Sequence, residues 1–195
     1  MLATELTPLI GNIVESKPGT AADRAKSLRA SGLLSRGKQG PYGGAHMTDT
    51  DAVNLLLANL LDHARGESVA ANVARVRRLP TDDGPALEIP SGLTHGLECF
   101  LATQAGPALD ALLADIRSGR FAAWIAGDSY ELRVTIDSGG GSVFISLVKP
   151  ERRERAIYGF ASAERRKRKQ LIQRSITIDG NAFVQIATQM GEARS

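Results

Sequence analysis

The sequence predicts an α+β chain: a helical N-terminal domain, residues 1–84, followed by a small antiparallel sheet domain with helices, residues 85–195. Three observations carry that expectation. Up to residue 79 the apolar side chains recur every three or four positions, the spacing of a helix face. From residue 131 they alternate with polar ones, the spacing of a strand with one buried side. Between the two patterns, LPTDDGPALEIPSG at 79–92 holds three prolines and two glycines, the composition of a linker or surface loop.

The elements follow in order. Leu2, Leu6, Leu9, Ile10, Ile13 and Val14 describe one face of a first helix, with Pro8 near its first turn or shortening it. KPGT at 17–20 breaks that helix, and Thr20 offers a side-chain oxygen to cap a second one over 21–31, buried through Ala21, Ala25 and Leu28 and closed by Gly32. Residues 35–47 hold four glycines and a proline without a regular period and form a loop. Thr48 then starts a third helix over 51–66, with Asp49 and Asp51 in its first turn and Gly66 at its end. Val69, Val73 and Val76 mark a fourth, over 68–79. Its arginines Arg75, Arg77 and Arg78 suit either the carbonyl end of the helix or a phosphate.

In the second half, helices are expected around 94–104 and 107–117, then strands at FAAWIA (121–126), ELRVTI (131–136) and SVFISLV (142–148). DSGGGS at 137–142 joins the last two as a hairpin turn. Further strands are expected at 156–160 and 175–178, and Asn181 caps a final helix through residue 190.

With 43% hydrophobic residues in a chain of 195, a conventional core is affordable without staples. The single cysteine, Cys99, has no partner for an internal disulfide and no ligand-spaced neighbour, which points to a reducing cytoplasm and predicts no metal. No leader-like start and no stretch of membrane-spanning length is present, so a soluble chain without a membrane is expected. Catalytic patterns are absent as well. His46, His63 and His95 are scattered, Asp82 and Asp83 point apart in extended backbone, and GGG at 139–141 lacks the Lys-Ser/Thr pair of a phosphate loop. No catalytic residue and no cofactor is predicted. Trp124 and Tyr130 sit among apolar neighbours and are expected in the core.

Charge is where function shows. Residues 1–80 carry 10 Lys/Arg against 7 Asp/Glu, residues 81–147 carry 3 against 9, and residues 148–195 carry 11 against 5. Two cationic ends around an anionic middle suit a polyanion that touches both ends. At the front, Arg24, Lys26 and Arg29 lie on the second helix, about a turn apart, and Arg36 and Lys38 lie in the loop that follows. Tyr42 in that loop either stacks on a sugar or base or anchors the loop to the helices. At the back, Arg165, Arg166, Lys167, Arg168, Lys169 and Arg174 crowd into 164–174 against the single Glu164. Phosphate is the natural partner of such a run.

RAKSLRASGLLSRGKQG at 24–40 resembles the recognition helix and wing of winged-helix regulators, within the wider helix-turn-helix class. The resemblance implies a helix in the major groove of double-stranded DNA, with Arg24, Lys26 and Arg29 facing it and Arg36 and Lys38 on the wing. The wider layout, from LRASGLL through the basic turn to HMT, is similar to small proteins of bacterial mobile elements and prophages. The expectation is therefore a non-enzymatic DNA-binding protein, a bacterial or phage transcriptional regulator acting as a homodimer, in which residues 1–84 read DNA and residues 85–195 dimerise or meet an effector. The alternative is a protein-interaction or phage assembly and packaging factor that uses 164–174 against an acidic partner.

Overall fold

The computed structural model describes residues 1–17, 19–36, 46–63, 67–81, 97–121, 131–149, 154–162 and 175–192. It is an α+β fold in which helices precede a four-stranded antiparallel sheet and a last helix follows it. α1 spans Ala3–Ile13, α2 Thr20–Ala30, α3 Asp49–Leu60, α4 Val69–Arg77 and α5 Ala105–Arg117. β1 is Glu131–Asp137, β2 Ser142–Lys149, β3 Glu154–Ala161 and β4 Ser175–Asp179, in the order β3-β2-β1-β4, and α6 is Gly180–Glu192.

α1 runs straight through Pro8. The bond that proline cannot donate would have gone to the Thr4 carbonyl, and both Thr4 and Pro8 lie on the exposed side of the helix, where a carbonyl is open to solvent. Leu6 and Ile10 are fully buried beneath. α2 begins one residue before the expected point: Thr20 is already helical and does not cap it, and the N-cap is Gly19, which has no side chain to accept a bond. Its C-terminus follows the expected pattern. Gly32, at φ 76°, takes the left-handed position, while Gly32 N–H donates to the Arg29 carbonyl (3.2 Å) and Leu33 N–H to the Leu28 carbonyl (2.9 Å).

α3 is the centre of the helical layer, and every residue from 51 to 60 is buried. Each of its enclosed leucines contributes about 1.5–3 kcal/mol through burial. The sequence pattern describes one apolar face only, because Asp51, Asn54 and Asn59 interrupt the stripe. The amide nitrogens of the two asparagines are bonded, Asn54 Nδ2 donating to the Leu33 carbonyl (2.6 Å) and Asn59 Nδ2 to the Leu55 carbonyl (2.8 Å). α3 also ends at Leu60, not at Gly66. Leu61 turns extended and Asp62 N–H donates to the Ser138 carbonyl (2.9 Å), so a tertiary contact takes the chain away from the helix axis.

α4 begins at its Ser68 cap and α5 packs beside it. Of the helix expected over 94–104, the described part is only a 3-10 turn, Glu98–Phe100. Two bonds hold the following residues extended, from Thr81 N–H to the Thr103 carbonyl (3.2 Å) and from Ala105 N–H to the Leu79 carbonyl (3.0 Å). The strand expected at 121–126 lies outside the described residues apart from Phe121, which is buried and helical, not extended.

β1, β2 and β3 form a meander, and β4 pairs antiparallel with the other side of β1, Thr135 opposite Thr177. Leu132, Val134, Ile136, Val143, Ile145, Leu147, Phe160 and Ile178 fill the inner face. α6 presses Phe183, Ile186, Ala187 and Met190 into the core and packs on α5, β1, β4 and α1. Its cap is Asp179, whose Oδ1 accepts from Asn181 N–H (2.8 Å); Asn181 is inside the helix and does not cap it. Residues on both sides of position 85 share one hydrophobic cluster, from Leu6 and Leu57 to Val134 and Phe183. Among the described residues no helix is long and apolar enough to cross a membrane.

Candidate nucleic-acid interface

α2 packs against α1, α3 and α4, and Ala21, Ala25 and Leu28 are its buried side. At about 100° per residue, Arg24 and Arg29 fall on opposite flanks of that stripe, roughly 140° apart. The two arginines therefore do not share a face. Arg24 is half-buried, and enclosure lowers its guanidinium pKa while the negative charge of Asp62 works the other way. Lys26 is exposed and lies on the flank of Arg29, with the small residues Ala22 and Ala30 also exposed alongside. Asp23 is the one carboxylate on α2, exposed at the far edge of this face.

Arg36 joins Lys26 and Arg29 from outside the helix. Its Nη2 donates to the Arg29 carbonyl (3.2 Å) in the last turn of α2. The foot of the loop is held by Asp51, a residue whose spacing in the sequence marks it only as a helix-start carboxylate. Its Oδ1 accepts from Ser35 N–H (2.8 Å), and its Oδ2 accepts from Ser35 Oγ (2.7 Å), Thr48 N–H (2.8 Å) and Thr48 Oγ1 (2.8 Å). One buried carboxylate thus ties both ends of the 36–47 connection to the start of α3. Met47 N–H donates to the Met1 carbonyl (3.0 Å), which ties the second foot to α1 as well. The T-x-x-D pattern of residues 48–51 is the signal that could have indicated this role.

Lys26, Arg29 and Arg36 have no ion pair among the described residues. Arg75, Arg77 and Arg117 are engaged internally, whereas Arg78 is exposed and has no ion pair among the described residues. Arg77 grips Asp110 on α5 through both terminal nitrogens (3.0 and 2.6 Å), and Arg117 reaches Asp49 on α3 (2.7 Å). Arg75 donates to the Gly139 and Gly140 carbonyls (3.0 and 3.3 Å). The triple glycine is thus a docked hairpin turn. Gly140 has φ 70°, and a Cβ there would meet Val76 Cγ2 at 2.8 Å, while the Asp137 carboxylate accepts from Gly139 and Gly141 N–H (3.2 Å each). Neither Arg75 nor Arg77 closes the carbonyl end of its own helix.

Lys38 and Tyr42 lie outside the described residues, as do Arg165, Arg166, Lys167, Arg168, Lys169 and Arg174. So do His95, Asp82, Asp83, Trp124 and Tyr130. His46 is exposed, and His63 lies between the Ala58 carbonyl (2.9 Å) and Asn72 Nδ2 (3.2 Å). Among the described residues no group of three or more His, Cys, Asp or Glu side chains is placed to hold a metal ion.

A second titratable cluster is enclosed between the 3-10 turn and α5. Cys99 is fully buried, and enclosure, together with the charge of Asp115, pushes its thiol pKa well up. Asp115 is also fully buried, and its pKa is raised by that burial against the pull of Cys99 N–H (3.3 Å) and Arg120 (3.1 Å). A thiol kept protonated away from solvent is a poor nucleophile. Both side chains are closed off from solvent.

Compared with protein families, with curated proteins and with solved structures, the chain matches none.

Proposed function

We propose that this chain is a non-enzymatic protein that binds double-stranded DNA by its phosphate backbone, through Lys26, Arg29 and Arg36 at the C-terminal end of α2. The observation that supports the reading is the grouping of cations: these three gather without an ion pair among the described residues, while Arg75, Arg77 and Arg117 serve internal contacts and the exposed Lys17 and Arg78 stand singly on other parts of the chain. Ala22 and Ala30 leave the face low enough for a sugar-phosphate strand to approach. On the winged-helix pattern the end of α2 lies along the duplex, and the loop with Arg36 and Lys38 reaches a neighbouring strand. Arg24 is not part of this contact, because it lies on the other flank beside Asp62. A transcriptional regulator of bacterial or phage type, acting in the cytoplasm, is the form that the sequence resemblance supports.

Three phosphate contacts per protomer give a modest affinity whose logarithm falls with log salt at a slope of about −3. A homodimer raises this by presenting two such faces to one duplex. The test is fluorescence anisotropy with a 20-base-pair duplex across a salt series. Arg29→Ala and Arg36→Ala are each expected to weaken binding and reduce the slope by about one, whereas Arg24→Ala leaves both unchanged. Absence of salt-sensitive binding at low ionic strength, or indifference to both α2-end substitutions, refutes the proposal.

A further inference from the structure

β4 is an edge strand, and beside it lies an open groove of about 420 Å³. Ile13 and Val14 from the end of α1, Leu60 from α3, Ile176 and Ile178 from β4, and Ala182 from α6 give it apolar walls. The other sheet edge is partly covered, since Ala161 N–H of β3 donates to the Pro80 carbonyl (3.1 Å) and Thr81 bridges Phe160. Among the described residues β4 has no such cover and pairs only with β1. An uncovered edge offers a row of N–H and C=O groups to any strand that can lie beside it.

Charge selects the occupant. Glu15 and Asp179 both line the groove and both are exposed, and neither has an ion pair among the described residues. Glu15 closes α1 at φ 50°, with Ser16 N–H donating to the Gly11 carbonyl (2.9 Å). Glycine favours that left-handed position, yet here it presents a carboxylate at the lip. The polar side chain inside the wall is already satisfied, as Asn59 Oδ1 accepts from Ser16 Oγ (3.1 Å). Edge-to-edge pairing with a second β4, SITID, brings no cation to either carboxylate, so a second copy leaves both without a counter-charge.

We infer that the free edge of β4 and its groove dock an extended segment of a partner protein in which apolar residues alternate with lysine or arginine. The segment adds a strand to the sheet, drops alternate side chains among Ile13, Leu60 and Ile178, and sets its cations against Glu15 and Asp179. The site is separate from the DNA face and stands without it.

The probe is the capped peptide KVKVKVK, titrated into isotopically labelled chain and followed by amide resonances. Shifts are expected at residues 13–15 and 175–179. Glu15→Gln with Asp179→Asn is expected to weaken binding about threefold to thirtyfold, the range for two exposed ion pairs at low salt. Ala182→Leu keeps both charges and fills the groove, so it serves as the second variant and is expected to weaken binding as well; circular dichroism checks both folds. The peptide N-methylated throughout is expected to lose binding. The inference is overturned if β4 resonances do not respond, if EVEVEVE or the N-methylated peptide binds as tightly, or if β4 resonances shift with protein concentration alone, which marks a second copy as the occupant.

Discussion

Replacing Asp51 by alanine tests whether one carboxylate fixes the loop that carries Arg36. The wild-type group receives four hydrogen bonds of 2.7–2.8 Å, two from Ser35 and two from Thr48. Bonds to a charged acceptor contribute about 1.5–3 kcal/mol each, but their losses do not add in full. Thr48 is exposed and Ser35 half-buried, so both hydroxyls find water once the carboxylate is gone. The loss then concentrates in the two backbone N–H groups and the helix cap, together roughly 3 kcal/mol. With a urea dependence of about 1–3 kcal/mol per molar, the unfolding midpoint falls by about 1–3 M. Hydrogen exchange reads the same change locally, as faster exchange of the Ser35 and Thr48 amides. DNA binding should weaken in parallel with Arg36→Ala, because the loop foot no longer holds Arg36 against α2. A variant that unfolds at the wild-type midpoint, or whose two amides exchange no faster, refutes the reasoning.

The other predictions concern packing and titration. Gly140→Ala is expected to cost about 2–4 kcal/mol, from a left-handed backbone and a Cβ driven onto Val76, while Gly139→Ala stays within about 1 kcal/mol; equal urea midpoints would contradict this. Burial raises the Asp115 pKa in the fold above its unfolded value, so its contribution to stability is full below about pH 4 and is lost as pH rises through the raised value. The amide introduced by Asp115→Asn cannot ionise, so the stability of the wild type relative to that variant should fall from pH 4 towards neutrality, and a flat difference between urea midpoints would count against it. Cys99, buried and with its thiol held protonated, should react with a thiol reagent only after unfolding; rapid labelling in native buffer would show otherwise.

What the sequence makes legible is periodicity and punctuation. Leu132, Val134 and Ile136 alternate, DSGGGS turns the chain into SVFISLV, and the alternation resumes in SITI at 175–178, so three strands and one hairpin follow from a period of two. Gly32 and Thr48 likewise mark helix ends by local chemistry alone. The errors fall where a distant partner decides. α3 stops at Leu60 because Ser138 takes the Asp62 N–H, and residues 103 and 104 stay out of a helix because the chain bonds there to residues 79–81. The cap of α6 passes from Asn181 to Asp179, a shift of register that only the strand's end position settles. The candidate site divides in the same way. Helical spacing is enough to separate Arg24 from Arg29 once Ala21, Ala25 and Leu28 are taken as the buried stripe, but the clamp of Asp51 on Ser35 spans 16 positions and a loop.

The fate of the arginines bears on how strong the proposed DNA contact can be. Charge counted along the sequence treats every cation of residues 1–80 as available to phosphate. In the fold, Arg75 is held by turn carbonyls of the β1–β2 hairpin and Arg77 by Asp110, and each of these contacts joins residues on either side of position 85. Arg117 with Asp49 does the same from the other direction. Moving Arg77 towards a phosphate would leave Asp110 without the ion pair that it makes at about one-fifth exposure, so the gain in DNA affinity would be offset by a loss in stability. Among the described residues Lys17, Arg24 and Arg78 also lack an ion pair, but Lys26, Arg29 and Arg36 are the three that gather at the end of α2, and a face of three contacts binds weakly alone and gains from pairing two copies on one duplex.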